Sequence, residues 1–317
     1  YYSSGALRGQ TVFKKGKPDG LVTEYYPNGN LKTETNYANG KVNGMSRTYY
    51  ENGKVETEGV YVDGVLANSF KTFFPNGQLE TSSLMVDGKK NGEYKVHNKD
   101  GNVILIGHFK NGVMDGENIA YYPDGSMQHH YNYSSGKKTG TNIDYFPGGK
   151  IKMKEVFAMD KVSSTVTEYD ATTGKAISAK EFKSGKPEGT WTYFFENSTV
   201  PSIKETYEKG KLQGIRYTYY PTGKIKMEQT YKFHLLAGPT KTYNENGKLE
   251  SVTEYKSNRK QGKHTSFYSN GSIKEEGEFI GDKKHGEWKA YDEQGNLTRT
   301  LIFKAGNLVQ TIPDEGN

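Results

Sequence analysis

The chain has 317 residues, a formal net charge of +6 from 43 Lys and Arg against 37 Asp and Glu, no Cys, and only 58 Leu, Ile, Val and Phe. So few aliphatic side chains cannot fill the core of a conventional globule of about 300 residues, yet 25 Tyr and 38 Gly are the wrong surplus for disorder, which goes with few aromatics. The lack of Cys excludes disulfides, thiolate metal sites and a Cys nucleophile, and no run approaches the ~18 apolar residues of a membrane-spanning helix.

The chain opens on Tyr1 and Tyr2, which are neither an initiator Met nor part of a signal peptide, so a leader is expected ahead of them. From there a period of 24 organises the sequence. Repeats begin at Tyr1, Tyr25, Tyr49, Phe73, His97, Tyr121, Tyr145, Tyr169, Phe194, Tyr219, Tyr243, Phe267 and Tyr291. Those beginning at Tyr169 and Phe194 have 25 residues and the others 24. Thirteen repeats consume all but Glu315 to Asn317. The domain reading is therefore one array over 1–317, with nothing left for a separate catalytic domain.

Each repeat predicts the same elements in the same order. Gly recurs at position 5, at position 16 and at position 20, so most glycines are turn residues. Where position 16 is not Gly it is Asp160, His234, Asn258 or Asp282. These residue types tolerate φ > 0 best, so a left-handed backbone is expected at that position. Positions 6 to 14, as in 30–37, and position 20 to the next Tyr pair, as in 44–50, are rich in Thr and Tyr and read as strands. Position 7 is usually aliphatic and position 13 aromatic, and their shared parity puts them on one face. The aromatic residue at position 1 is expected to join that face from the neighbouring strand. Repeats 7 to 9, over 145–218, depart from the pattern. Asp160 and Ser164 replace Gly, and Glu196 to Pro201 lacks the turn Gly. A kink or a private contact site is expected there. The fold class is all-β: tandem β-hairpin repeats forming one elongated, twisted antiparallel meander sheet, a solenoid-like ribbon.

These motifs resemble the MORN repeat family in its bacterial variant, whose pattern is YYxNGxLKxExxYxNGKxxGxWxxYY. Repeat 2, from Tyr25 to Tyr37 and on through Asn39 to Gly44, matches nearly throughout, and Gly189 to Trp191 and Gly286 to Trp288 supply the GxW element. The resemblance implies a hairpin array used as a scaffold or binding surface, often at membranes or the cell surface. It also implies antitoxin-like members among bacterial relatives. Eukaryotic members often adjoin a kinase or methyltransferase domain, and no residues here correspond to one.

No metalloprotease, nucleophile-elbow, Walker or dinucleotide-binding motif is present. His129 and His130 are adjacent on a strand and so point to opposite faces, which argues against joint chelation. Asn98 to Asn102 and Pro123 to Gly125 echo calcium loops without the remaining ligands. No cofactor, no metal and no catalytic residue is expected.

Three surfaces are candidates for binding. The second aromatic residue of each pair (Tyr26, Tyr50, Phe74, Tyr122, Phe146, Tyr220, Tyr268) forms a row that is either a closed ladder under Lys stems or a stacking platform for sugar rings or a partner chain. Position 17 is Lys in most repeats and gives one edge a spaced basic row. That row either discourages aggregation or attracts anionic lipid or glycan. Nucleic acid is not expected, because Glu34, Glu56 and Glu58 interleave with the cations. Leu66, Leu235 and Leu236 interrupt the polar tips and read either as contact residues or as packed against the next turn. The leading expectation is a non-enzymatic binding or scaffold protein, at the bacterial cell surface or secreted, with a protein or glycan partner. The alternatives are a cytoplasmic antitoxin-like protein that occludes a toxin, and a scaffold on an anionic membrane surface.

Overall fold

β-branched and aromatic residues crowd the stretches between turns, and such side chains pack best on a pleated surface. Each repeat accordingly contributes two principal strands, as with Leu31–Ala38 and Lys41–Tyr49, or Leu249–Lys256 and Arg259–Phe267. The computed structural model describes residues 1–313, so the assigned end of the array at 314–317 lies outside the described residues. Among the described residues every regular element is a strand and none is a helix. The chain divides into two compact units, Tyr1–Lys154 and Glu155–Asn317. Within each, successive strands pair antiparallel in chain order, which makes each unit a meander. The division falls in repeat 7, inside the stretch whose sequence departs from the pattern.

The hairpin turns are two residues long. Ala38 pairs with Lys41 across Asn39 and Gly40, whose φ angles are 53° and 83°. Two consecutive left-handed residues are the signature of a type I′ turn, whose twist matches that of the flanking strands. Left-handed backbone was expected at position 16 alone. Position 15 adopts it as well, including at Lys15, Lys209, Phe233 and Ala305. These residue types carry no preference for φ > 0, which is why the sequence did not mark them. His234, Asn258 and Asp282 are left-handed as expected. Asp160 is not, and the expectation is corrected there: Lys161 has φ 58° instead. Repeat 7 closes its hairpin with a longer loop, in which Ala158 N–H bonds the Ser163 carbonyl at 2.8 Å. Asp160 caps that loop by accepting bonds from the Val162 and Ser163 amides and the Ser163 hydroxyl. The Ser163 hydroxyl and the two amides pull its carboxyl down to about 2.

Position 20 is the second point where backbone freedom is used. Gly44, Gly92 and Gly262 have φ near 100° and lie where the register shifts, at a β-bulge. Asn68 fills the same role at φ 63°.

Strand alternation sorts the remaining positions into two faces. One carries positions 11, 13, 18 and 22 and is aromatic, as where Phe279, Trp288, Lys284 and His264 meet. The other carries positions 10 and 23 and is charged in many repeats, as where Glu34 and Glu58 flank Arg47. The first ring of each pair was expected on the face of position 13, and this is corrected. Position 1 does pair with position 7, as in Tyr49 with Val55, but the register shifts just before it. The ring therefore reaches the charged face, where the hydroxyls of Tyr49, Tyr243 and Tyr291 donate to Glu34, Glu228 and Glu276.

Candidate interaction surface

Two edges and two faces compete as binding surface, and each is best understood from the bonds that join one repeat to the next. On the edge formed by the YYxNG loops, Tyr26 N–H bonds the Asn30 carbonyl at 2.8 Å and Gly29 N–H bonds the Tyr26 carbonyl at 2.9 Å. Asn28 accepts from the Asn30 amide within its own loop and donates to the Glu51 carbonyl of the next. Asn52, Asn76 and Asn270 repeat the outward bond to Pro75, Lys99 and Glu293. The Asn of the motif thus closes one loop and ties it to its successor.

The second ring of the pair does the same over a longer reach. Tyr26 Oη donates to the Tyr49 carbonyl at 2.7 Å, Tyr50 to Phe73, Tyr122 to Tyr145, Tyr220 to Tyr243 and Tyr268 to Tyr291. The separation is always 23 residues, so each hydroxyl clasps the first residue of the following repeat. All seven rings singled out, including Phe74 and Phe146, are half-buried. Lys32, Lys152, Lys226 and Lys274 lie 5.5–6.0 Å from the centroids of Tyr26, Phe146, Tyr220 and Tyr268. Burial also raises the phenol pKa of Tyr26, Tyr50 and Tyr220. This row has a structural occupation on its polar end and a Lys stem near its ring. Tyr26→Phe keeps the ring and leaves the Tyr49 carbonyl without its donor, an expected loss of about 0.5–1.5 kcal/mol. Urea denaturation measures it, and an unchanged midpoint would contradict the clasp.

Leu66 and Leu236 occupy position 18, a strand position of the aromatic face. Leu66 pairs with Tyr61, and Leu236 is 9% exposed opposite Tyr231. The tip reading is therefore corrected for these two; the same repeat position is held by Lys90, Lys138, Lys260 and Lys284 elsewhere. Those lysines lie over rings, with Lys90 Nζ 3.5 Å from the Tyr94 centroid and Lys284 Nζ 3.8 Å from that of Trp288. Leu235 does lie at the tip and is 43% exposed.

The turn edge carries the position-17 cations. The stems of Lys17, Lys89, Lys186 and Lys283 lie against the turn glycines Gly40, Gly112, Gly210 and Gly306 of the next repeat. Within each unit, successive turns are also bonded to one another, position 16 N–H to position 18 carbonyl of the turn before. Gly40 to Pro18, Gly64 to Val42, His234 to Leu212 and Asn258 to Leu236 lie at 2.7–3.0 Å. The basic edge is thereby held at fixed spacing while its ammonium groups stay exposed.

On the charged face, Arg47 bridges Glu34 at 3.1 Å and Glu58 at 2.7 Å, and Lys71 reaches Glu58 at 3.7 Å. The hydrogen bonds that Arg47 donates to Glu58 and Glu34 hold its guanidinium even more firmly protonated than usual. The His pair separates as alternation requires, His129 to Asn118 at 2.7 Å and His130 to Glu117 at 3.2 Å. Among the described residues no cluster of His, Asp or Glu is able to hold a metal ion. In repeats 7 and 8 an open hollow of about 300 Å³ is lined by Val156, Phe182, Lys183 and Glu188.

On the aromatic face, His264 stacks on Trp288 at 5.6 Å and its Nδ1 lies 2.7 Å from Thr253 Oγ1. Burial pushes its imidazole below the ordinary 6.5, and does the same at His129. The unfolded chain therefore binds more protons than the folded one below about pH 6.5, and stability falls as pH drops through that value. Urea midpoints at about pH 7.5 and 5.5 are expected to differ in that direction, and the difference should shrink in His264→Gln. A midpoint independent of pH would count against it.

Residues that sequence reasoning passed over include Asn142, 2% exposed, which accepts from the Asn132 amide and donates to the Thr139 carbonyl. Phe233, 57% exposed at a left-handed turn position, is another. The missing position-16 glycine beside it was the available signal.

Comparison with known proteins follows the same repeats. The model of the MORN repeat variant matches residues 18–39, 42–63, 212–233, 236–257, 260–280 and 284–305. A comparison with curated proteins finds no match. Among solved structures, the chain is similar to the Photorhabdus luminescens Tc holotoxin pore in a TccC3 mutant, at 12% identity over 95% of this chain and 19% of that one. The TM-score is 0.20, and the chain spans about a fifth of that structure's length, so this likeness carries no argument. The family match is of another kind, because its segments each run from one two-residue turn to the next and recur at a 24-residue offset within each unit. Six segments of the chain are MORN-variant repeats.

Proposed function

We propose that the protein is a non-enzymatic scaffold that presents a rigid, repetitive β-surface to a protein partner, at the bacterial cell surface or after secretion. The observation that carries this reading is the bonding of successive turns to one another within each unit. An edge ordered in that way loses little conformational freedom on binding, and such pre-organisation favours association. The half-buried Tyr row, with its hydroxyls engaged, leaves less ring surface for sugars, which favours protein over glycan.

Photo-crosslinking residues placed at Lys211 on the turn edge, Lys71 on the charged face and Asn52 on the loop edge test it in intact cells. Protein adducts concentrated on one of these surfaces are expected. Adducts spread evenly over all three, or hits confined to a glycan array, would overturn the reading. Protease treatment of intact cells should degrade the protein, whereas full protection would refute the surface location.

A further inference from the structure

The turn at Phe233 and His234 carries an aromatic residue at its first left-handed position, where the neighbouring tips have Lys209 and Ser257. Both residues are left-handed, with φ of 50° and 68°; His tolerates that backbone, whereas Phe is not a residue type that a type I′ turn favours. A bulky side chain there is a conformational outlier. Nothing in the fold asks for it, since the equivalent residues elsewhere are Asn39 with Gly40 or Lys209 with Gly210. The surroundings hold the turn in place. Phe233 N–H bonds Gln213 Oε1 at 3.1 Å, His234 N–H bonds the Leu212 carbonyl at 3.0 Å, and Leu212 N–H bonds His234 Nδ1 at 3.3 Å. What the outlier provides is exposed apolar surface: Phe233 is 57% and Leu235 43% exposed. Strain maintained by its surroundings at an exposed aromatic residue points to recognition.

The charges around it are mainly positive. Lys209, Lys211, Lys232, Lys256 and Arg259 are all exposed on this tip and its two neighbours. Of the nearby acids, Glu188 accepts the Lys209 amide at 2.8 Å, and Glu208 lies 3.9 Å from Lys209 in a solvent-exposed pair of little strength. Neighbouring tips stand two strands, about 10 Å, apart, and an extended chain advances about 3.3 Å per residue. Every third residue of an extended segment therefore meets a new tip. A lipid surface would favour an aromatic ring projecting off the edge. The Phe233 ring instead has Lys211 Nζ of the preceding tip 5.2 Å from its centroid, so a chain running across the tips would meet both.

We propose that the turn edge of the second unit, centred on Phe233 and His234, docks an extended acidic polypeptide segment that carries an apolar side chain. This rests on the scaffold reading above and specifies its partner's chemistry. The test uses the full chain and a fluorescent synthetic peptide of Glu-Ser-Leu triplets, with a Lys-Ser-Leu peptide, phosphatidylserine vesicles and a single-stranded oligonucleotide as comparisons. Salt-sensitive binding of the acidic peptide is expected, at higher affinity than any comparison. Phe233→Asn combined with His234→Gly restores an ordinary turn, so it is expected to raise the thermal midpoint while weakening peptide binding about tenfold, the scale of a lost anchor residue. Lys209→Glu with Lys211→Glu should weaken it similarly, and Lys41→Glu in the first unit should not. Unchanged affinity in the turn-swapped protein, or equal or tighter binding of vesicles, oligonucleotide or the Lys peptide, overturns the proposal. If these results fail while cross-links to protein form at Lys71 or Asn52, the scaffold reading stands and this site alone falls.

Discussion

Trp288→Ala is expected to destabilise the second unit by about 3–5 kcal/mol, the range for an aromatic side chain removed from a core. Trp288 is fully buried, at 0% exposure. It meets Phe279 at 5.0 Å, His264 at 5.6 Å and Phe303 at 6.3 Å between ring centroids, with Lys284 above its face. Its Nε1 donates to the Glu278 carbonyl at 3.1 Å, so truncation costs a hydrogen bond as well as contacts. A repeat protein loses stability locally, because each repeat touches chiefly its neighbours. Hydrogen exchange should therefore accelerate most between His264 and Phe303 and least in the first unit. Trp191 remains as a fluorescent probe for urea titration. A loss below about 0.5 kcal/mol, the size of a surface substitution, would show that Trp288 is not the anchor of this face.

The second large effect is expected at Gly277, which lies directly beneath that ring. A Cβ there would stand 2.3 Å from Cδ2 and 2.5 Å from Cε2 of Trp288, inside any permitted contact. Gly277→Ala must displace the indole or the strand, and overpacking of this kind costs about 1–3 kcal/mol. The effect is specific to the pair. Gly277→Ala should cost markedly less in a Trp288→Leu background than alone, a coupling that a double-mutant cycle measures directly. Additive costs would mean that the glycine serves its backbone and not the ring. Gly59 shows the same relation to Phe70 in the first unit, where an added Cβ would lie 3.1 Å from the ring.

Much of the architecture was legible in the residues. Gly at positions 5, 16 and 20, and the Asn, Asp and His that replace it, are local answers to a local demand for left-handed backbone. Strand alternation placed His129 and His130 on separate partners for the same reason. The candidate surfaces were less legible. Tyr26 and Leu66 look alike as exposed apolar residues in a polar repeat. One is a clasp, because its hydroxyl reaches a carbonyl 23 residues away, and the other is a packed strand residue opposite Tyr61. The two Trp share one motif, and both donate Nε1 to a carbonyl on the preceding strand, of Glu181 and of Glu278. Only Trp288 is buried completely, since a glycine lies under it, whereas Trp191 is flanked by Phe182 and Tyr207 at 5.2 and 4.6 Å.

The low count of aliphatic residues, the 24-residue period and the turn chemistry were enough to establish an all-β array of hairpins. Each of those features depends on dihedral preference or alternation within a few residues. Which ring lies on which face was settled only in three dimensions. A register shift beside each Tyr pair, as between Thr48 and Tyr49, moves the first ring to the charged face. A bulge of this kind is set by hydrogen bonding to the neighbouring strand, which periodicity along a single strand does not contain.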